Sequence, residues 1–194
     1  MFGIYITHPQ VRIDPDVAVP LWGLSERGEE RTRLAARSPW VSQLTRILSS
    51  DETKALETAA ILAAAGGLDV EVLEHSGEND RSATGFLPPE RFEEAADWFF
   101  AHPHESFHGW ERAIDAQARI VKAVEGVLET HDPNRPIAFV GHGGVGTLLK
   151  CHLAGRTIGR DGDQPGGGGN LFCFSLADRS VSCDWTPIEN WQGP

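Results

Sequence analysis

Two histidines stand at the ends of two apolar runs. Phe2-Gly-Ile-Tyr-Ile-Thr7 leads into His8, and Ile137-Ala-Phe-Val-Gly141 leads into His142, with Gly143-Gly144 next. Imidazole has its ordinary pKa near neutrality, so it can attack, carry a proton or face an anion at pH 7. In an open α/β sheet, ligands bind outside the carboxyl ends of the strands. One histidine at a strand tip reads as a cap; the same placement twice points to one shared site.

The elements that must position these residues alternate between strand and helix patterns. Leu24-Ser25-Glu26-Arg27-Gly28 opens a polar helix with Ser25 as N-cap, fading by Pro39. Ile47 to Asp51 reads as a short strand end running into an Ala- and Leu-rich helix over 53–65, stopped at Gly66-Gly67. Residues 70–73 form a third strand. Pro88 and Pro89 open a helix with Phe92, Ala95, Ala96 and Phe99 on one face. A long helix over 110–129 turns Ile114, Ala118, Val121, Val124 and Leu128 to a core. Strand 137–141 is followed by a helix through Leu153, ended by Gly155. Residues 159–169, with six glycines, read as a flexible surface loop, and 171–176 with 181–185 as a closing hairpin.

The chain has 194 residues, 40% of them hydrophobic, enough for one domain with a full core. A net charge of -11 argues against nucleic-acid or anionic-membrane partners and requires any anionic substrate to find a local positive pocket. The first residues carry no basic n-region, and no run is long enough to span a bilayer. Cys151, Cys173 and Cys183 are an odd count without C-x-x-C spacing, which reads as reduced thiols in a cytoplasmic protein. Six tryptophans leave room for an exposed apolar patch and a homodimer.

In order and placement these stretches resemble the histidine phosphatase superfamily, also called phosphoglycerate mutase-like, over nearly the whole chain. Thr7-His8-Pro9 matches the family's Arg-His-Gly, Leu24 to Gly28 its Leu-Ser-x-x-Gly, and Ser49-Ser50-Asp51-Glu52-Thr53-Lys54-Ala55 its Ser-Ser-x-x-x-Arg-Ala segment. Gly141-His142-Gly143 matches the later Ser/Gly-His-Gly. The resemblance implies a single three-layer αβα domain over 1–194, with a mostly parallel sheet and an antiparallel edge strand. It implies metal-independent hydrolysis of a small phosphomonoester through a phosphohistidine on His8, with no cofactor. His142 is then the partner imidazole, protonated beside the phosphate, and Glu78 the general acid, with Asp80 and Glu74 as rivals. Lys54, Thr7, Gly143 and Arg81 are the expected phosphate contacts. Residues 78–110 become an insert over the site that carries Phe86, Phe107 and Trp110. A mutase is disfavoured because that insert lacks the Glu-Arg-x-Tyr-Gly signature.

The implied chemistry suits these residue types. Neutral imidazole attacks phosphorus without a metal, and the transferring phosphoryl group needs placed cations and N–H donors. The start of a helix at Gly143-Gly144 supplies such donors. Three positions depart from the pattern. Thr7 stands in place of the first arginine, Lys54 cannot form a bidentate fork, and Pro9 lacks an N–H. Arg12 or Arg81 is the candidate replacement cation. The alternative reading is a catalytically weak or inactive phosphate-binding protein on the same fold. Two literal motifs count for less. Gly141-His-Gly143-Gly-Val-Gly146 matches a dinucleotide fingerprint but lies late in the chain, so its glycines are read as giving phosphate access to backbone. His102, His104 and His108 lack the spacing of a zinc site.

Overall fold

An apolar run without alternation becomes a strand when both faces of its sheet are covered. Phe2–Thr7 (β1) and Ile137–Gly141 (β4) are buried along their whole length. With Arg46–Ser49 (β2), Val70–Val72 (β3), Asn170–Ser175 (β5) and Val181–Pro187 (β6) they form one six-stranded sheet in the computed structural model, which describes residues 1–194. The strand order is β3-β2-β4-β1-β5-β6. The first four neighbours run parallel, and β5 pairs antiparallel with both β1 and β6. The fold is a three-layer αβα sandwich, mostly parallel with an antiparallel edge.

The helices are Glu26–Ala35 (α1), Thr53–Gly66 (α2), Pro89–Ala101 (α3), Ala113–Leu128 (α4) and Gly143–Leu153 (α5). The Ser25 hydroxyl accepts the Gly28 N–H at 3.2 Å, the N-cap its position predicts. Gly67 closes α2 with φ 66°, a left-handed turn that favours glycine. Strand alternation divides the core. Ile4 and Ile6 pack with Trp40, Ala59 and Leu62 on the α2 side, while Tyr5 packs with Phe139, Ile120 and Leu148 on the α4 and α5 side. Each such Ile, Leu or Phe side chain contributes about 1.5–3 kcal/mol on burial.

Four expectations change. The buried face of α4 is Ala113, Ala116, Ile120, Val124 and Leu128, with Ala118 exposed and Ile114 and Val121 half-buried, and the helix starts at Ala113 after Arg112 as its extended N-cap. Trp110 instead donates its indole N–H to Thr84 Oγ1 at 2.8 Å. No tryptophan is exposed, Trp98 and Trp185 being half-buried and the rest buried; the exposed large apolar side chains include Ile13, Val17, Leu21 and Phe86. The stretch over 159–169 is tied down at both ends, at its start by the ion pairs of Arg160 with Glu93, Asp97 and Asp163. Gly169 N–H donates to the His8 carbonyl at 2.9 Å, and Arg31 donates to the Gly168 and Gly169 carbonyls at 2.9 Å each while pairing with Glu189. Gly167, Gly168 and Gly169 take φ 92°, 63° and 65°, so their glycine content provides left-handed backbone. Finally, the glycines of the 141–146 motif make room for side chains. A Cβ on Gly146 would lie 2.5 Å from the Tyr5 ring, one on Gly143 2.3 Å from Gln164, and one on Gly144 2.7 Å from Glu78. No helix is long and apolar enough to cross a membrane.

Candidate active site

Because β1 and β4 are parallel neighbours with Thr7 opposite Gly141, the residues after them emerge side by side. His8 N–H donates to the Gly141 carbonyl at 3.0 Å, and the His8 and His142 rings face each other at 5.3 Å between centroids, tilted by 67°. His8 Nδ1 lies 2.8 Å from the Pro9 carbonyl. A carbonyl only accepts, so the proton sits on Nδ1 and Nε2 carries the free lone pair. Pro9, which removes an N–H from the loop, supplies the oxygen that orients the ring. Burial first, then the neighbouring His142, push the His8 pKa down to about 3, so the ring is neutral at pH 7.

His142 is fully buried. Its N–H donates to the Tyr5 hydroxyl at 3.1 Å, and Nε2 lies 2.7 Å from Ser50 Oγ and 3.3 Å from Glu52 Oε1. Burial lowers its pKa to about 4 despite the Glu52 carboxylate. The positive charge expected on His142 is therefore absent at pH 7 in the unliganded protein.

Glu52 is the residue that sequence reasoning missed. Its carboxylate accepts the Glu78 N–H at 2.9 Å, faces His142 and binds the Lys54 ammonium. Burial alone would raise its pKa, but His142 and Lys54 overcome this and hold it at about 2. Lys54 is itself buried, donating to Glu52 and to the Val19 carbonyl at 2.9 Å, and it does not line the cavity in front of His8. Thr7, expected to touch phosphate, is also withdrawn. Its hydroxyl lies 2.7 Å from Gln164 Oε1 and accepts the Asn170 N–H at 3.0 Å. Its partners come from β5, beside β1 in the sheet, and from the segment before β5, so only the pairing of residues more than 150 apart reveals them.

The cavity in front of His8 has a volume of about 520 Å3 and is lined by His8, Glu78, Arg81, Gly143, Gln164 and Trp110 among others. Of the three acids considered, Glu78 alone lines this cavity; Asp80 and Glu74 are exposed. The Glu78 carboxylate accepts the N–H groups of Gly144 and Val145 at 3.1 and 3.0 Å, so the start of α5 already holds an anion, the protein's own. Arg81 makes no ion pair and lies 4.8 Å over the Phe92 ring at the cavity wall. Arg12 is exposed and outside it. In the 78–110 segment, Trp110 lines this cavity, Phe86 lines a neighbouring one beside Trp22, and Phe107 packs behind Trp110. No group of three or more His, Cys, Asp or Glu side chains is arranged to hold a metal.

Residues 11–165 match the histidine phosphatase superfamily (branch 1), a match that begins just past His8. The chain belongs to the histidine phosphatase superfamily. Among solved structures, this histidine phosphatase superfamily chain is similar to a mycobacterial glucosyl-3-phosphoglycerate phosphatase in complex with inorganic phosphate, at 22% identity and TM-score 0.79, over 98% of this chain and 99% of that one. It is also similar to Bacillus stearothermophilus YhfR, at 20% identity and TM-score 0.76 over 96% and 98% of the two chains. The alpha-ribazole phosphatase from Shigella flexneri shares 16% identity and TM-score 0.72 over 97% of each. These likenesses are of fold. No curated protein matches the chain in sequence.

Proposed function

We propose that this superfamily member is a metal-independent phosphomonoester hydrolase working through a phosphohistidine on His8. The observation that carries the reading is a neutral imidazole with its free Nε2 set against a second imidazole in a cavity that also holds Glu78. Nε2 attacks phosphorus and the bond to the leaving oxygen breaks; Glu78, having taken a proton from the monoprotonated phosphate ester as it leaves the α5 N–H groups, gives that proton to the leaving oxygen. A water then gives a proton to Glu78 and attacks phosphorus, the P–N bond breaks, and His8 is restored as phosphate leaves. The phosphate competes with Glu78 for the N–H groups of Gly144 and Val145, which frees the carboxyl to turn toward the leaving oxygen. Arg81 is the cation for the equatorial oxygens. Three free cysteines fit a reducing compartment, the cytoplasm.

A specific observation supports a second reading. Lys54 is neutralised by Glu52, and Thr7 is bonded elsewhere, so the site holds fewer free cations than phosphoryl transfer uses. On that reading the protein binds phosphate with little or no turnover. Hydrolysis of 4-nitrophenyl phosphate in the presence of a chelator, compared between parent and His8→Ala, separates the two. Turnover that survives chelation and vanishes in the variant supports the hydrolase. No turnover, with phosphate raising the melting temperature, supports the binder.

A further inference from the structure

The cavity in front of His8 has walls of different character. Phe92, Phe99, Phe100 and Trp110 form one, from α3 and the turn before α4. Phe92 and Trp110 face each other with ring centroids 6.4 Å apart. The other wall is the 163–168 segment. The charges around this space are almost all committed. Arg160, which lines the cavity, pairs with Glu93, Asp97 and Asp163 at once. Lys54 is held by Glu52, and Arg119 by Glu111 at 2.8 Å. Arg81 is left without an ion pair, and the carboxylates of Glu78, Glu93 and Asp163 line the same space.

We propose that this site takes phosphomonoesters whose leaving group is uncharged and apolar, an aromatic ring fitting best, and rejects esters that carry a second anion. This rests on the hydrolase reading only for the identity of the ester, not for the shape of the pocket. The phosphate engages Arg81, so a carboxylate or second phosphate on the leaving group meets Glu93 and Asp163 with no free cation to offset them. A planar ring instead packs against half-buried Phe92, which buried Trp110 and Phe99 support from behind, and leaves the Arg160 ion pairs intact. Arg160 is the specificity-determining residue, through the partners that keep it occupied.

The test uses non-hydrolysable phosphonates and the unaltered protein, with binding read by calorimetry at pH 7.5. Phenylphosphonate is compared with 4-carboxyphenylphosphonate and with 2-naphthylphosphonate. The carboxylated ligand is expected to bind at least about tenfold more weakly than phenylphosphonate, and the naphthyl ligand more tightly. The double variant E93Q/D97N, which releases Arg160, is expected to shrink the carboxylate penalty, and Phe92→Ala to abolish the naphthyl advantage. Equal or tighter binding of the carboxylated ligand to the unaltered protein overturns the proposal, as does failure of all three to bind. Hydrolysis of phenyl phosphate is scored separately: the binding preference without turnover upholds the pocket and removes the hydrolase reading.

Discussion

Replacing Glu52 by glutamine tests the electrostatic core of the site. In the folded protein the carboxylate is held at about 2 against an ordinary 4.5, with its side chain 11% exposed. A depressed folded value means that the charged form is favoured by folding, so the stabilisation is fully present above about pH 4.5 and is lost as pH falls through about 2. The whole shift corresponds to about 3 kcal/mol, but His142 carries its share only when protonated, so at pH 7 the stabilisation comes from Lys54 and is about 1–2 kcal/mol. Glu52→Gln should cost that order of stability at neutral pH, and it leaves the Lys54 ammonium buried without its partner. Urea unfolding of parent and variant at pH 7, 4.5 and 3 measures both effects, and the gap between the two proteins should narrow toward pH 3. A variant as stable as the parent at pH 7, or a gap that stays constant with pH, refutes the assigned role of Glu52.

Three further outcomes are expected. The unfolded chain's histidines titrate near 6.5, while burial keeps His8 and His142 neutral down to about 3 and about 4, so stability should fall as pH drops from about 6.5 toward 4; His142→Gln should flatten that limb in urea titrations. Tyr5→Phe strips the hydroxyl from the buried His142 N–H and should cost about 1–3 kcal/mol by chemical denaturation, with a loss of activity because His142 is no longer held. Arg81→Ala should lower kcat/KM by about 10-fold or more through KM, since charge-assisted hydrogen bonds to the phosphate are worth about 1.5–3 kcal/mol, with little change in melting temperature.

The strands and the two histidines were legible because they depend on local pattern: unbroken apolar runs, a serine cap, glycine stops. Glu78 was legible as a candidate but not as a carboxylate seated on α5, since that contact joins residues 66 and 67 apart. Glu52 gave no signal, because nothing in Ser-Ser-Asp-Glu-Thr-Lys tells which acid turns inward. The 159–169 stretch was misread for a physical reason. Glycine-rich sequence serves equally for slack backbone and for backbone bent into left-handed turns and bonded, and only the Arg31 and Gly169 contacts distinguish them. Thr7 and Lys54 occupied the right positions in the pattern, yet hydrogen bonds to Gln164 and Val19 claimed their polar atoms.

The position of β1 has a consequence for how the protein is made. That strand is hydrogen-bonded on one side to residues 137–141 and on the other to residues 171–175. During synthesis it has no strand neighbour until β4 emerges, on the order of ten seconds after it at typical elongation speeds. For that interval a wholly apolar segment waits with both of its edges bare, a natural client for chaperones. His8 is translated well before the strand that completes its surroundings.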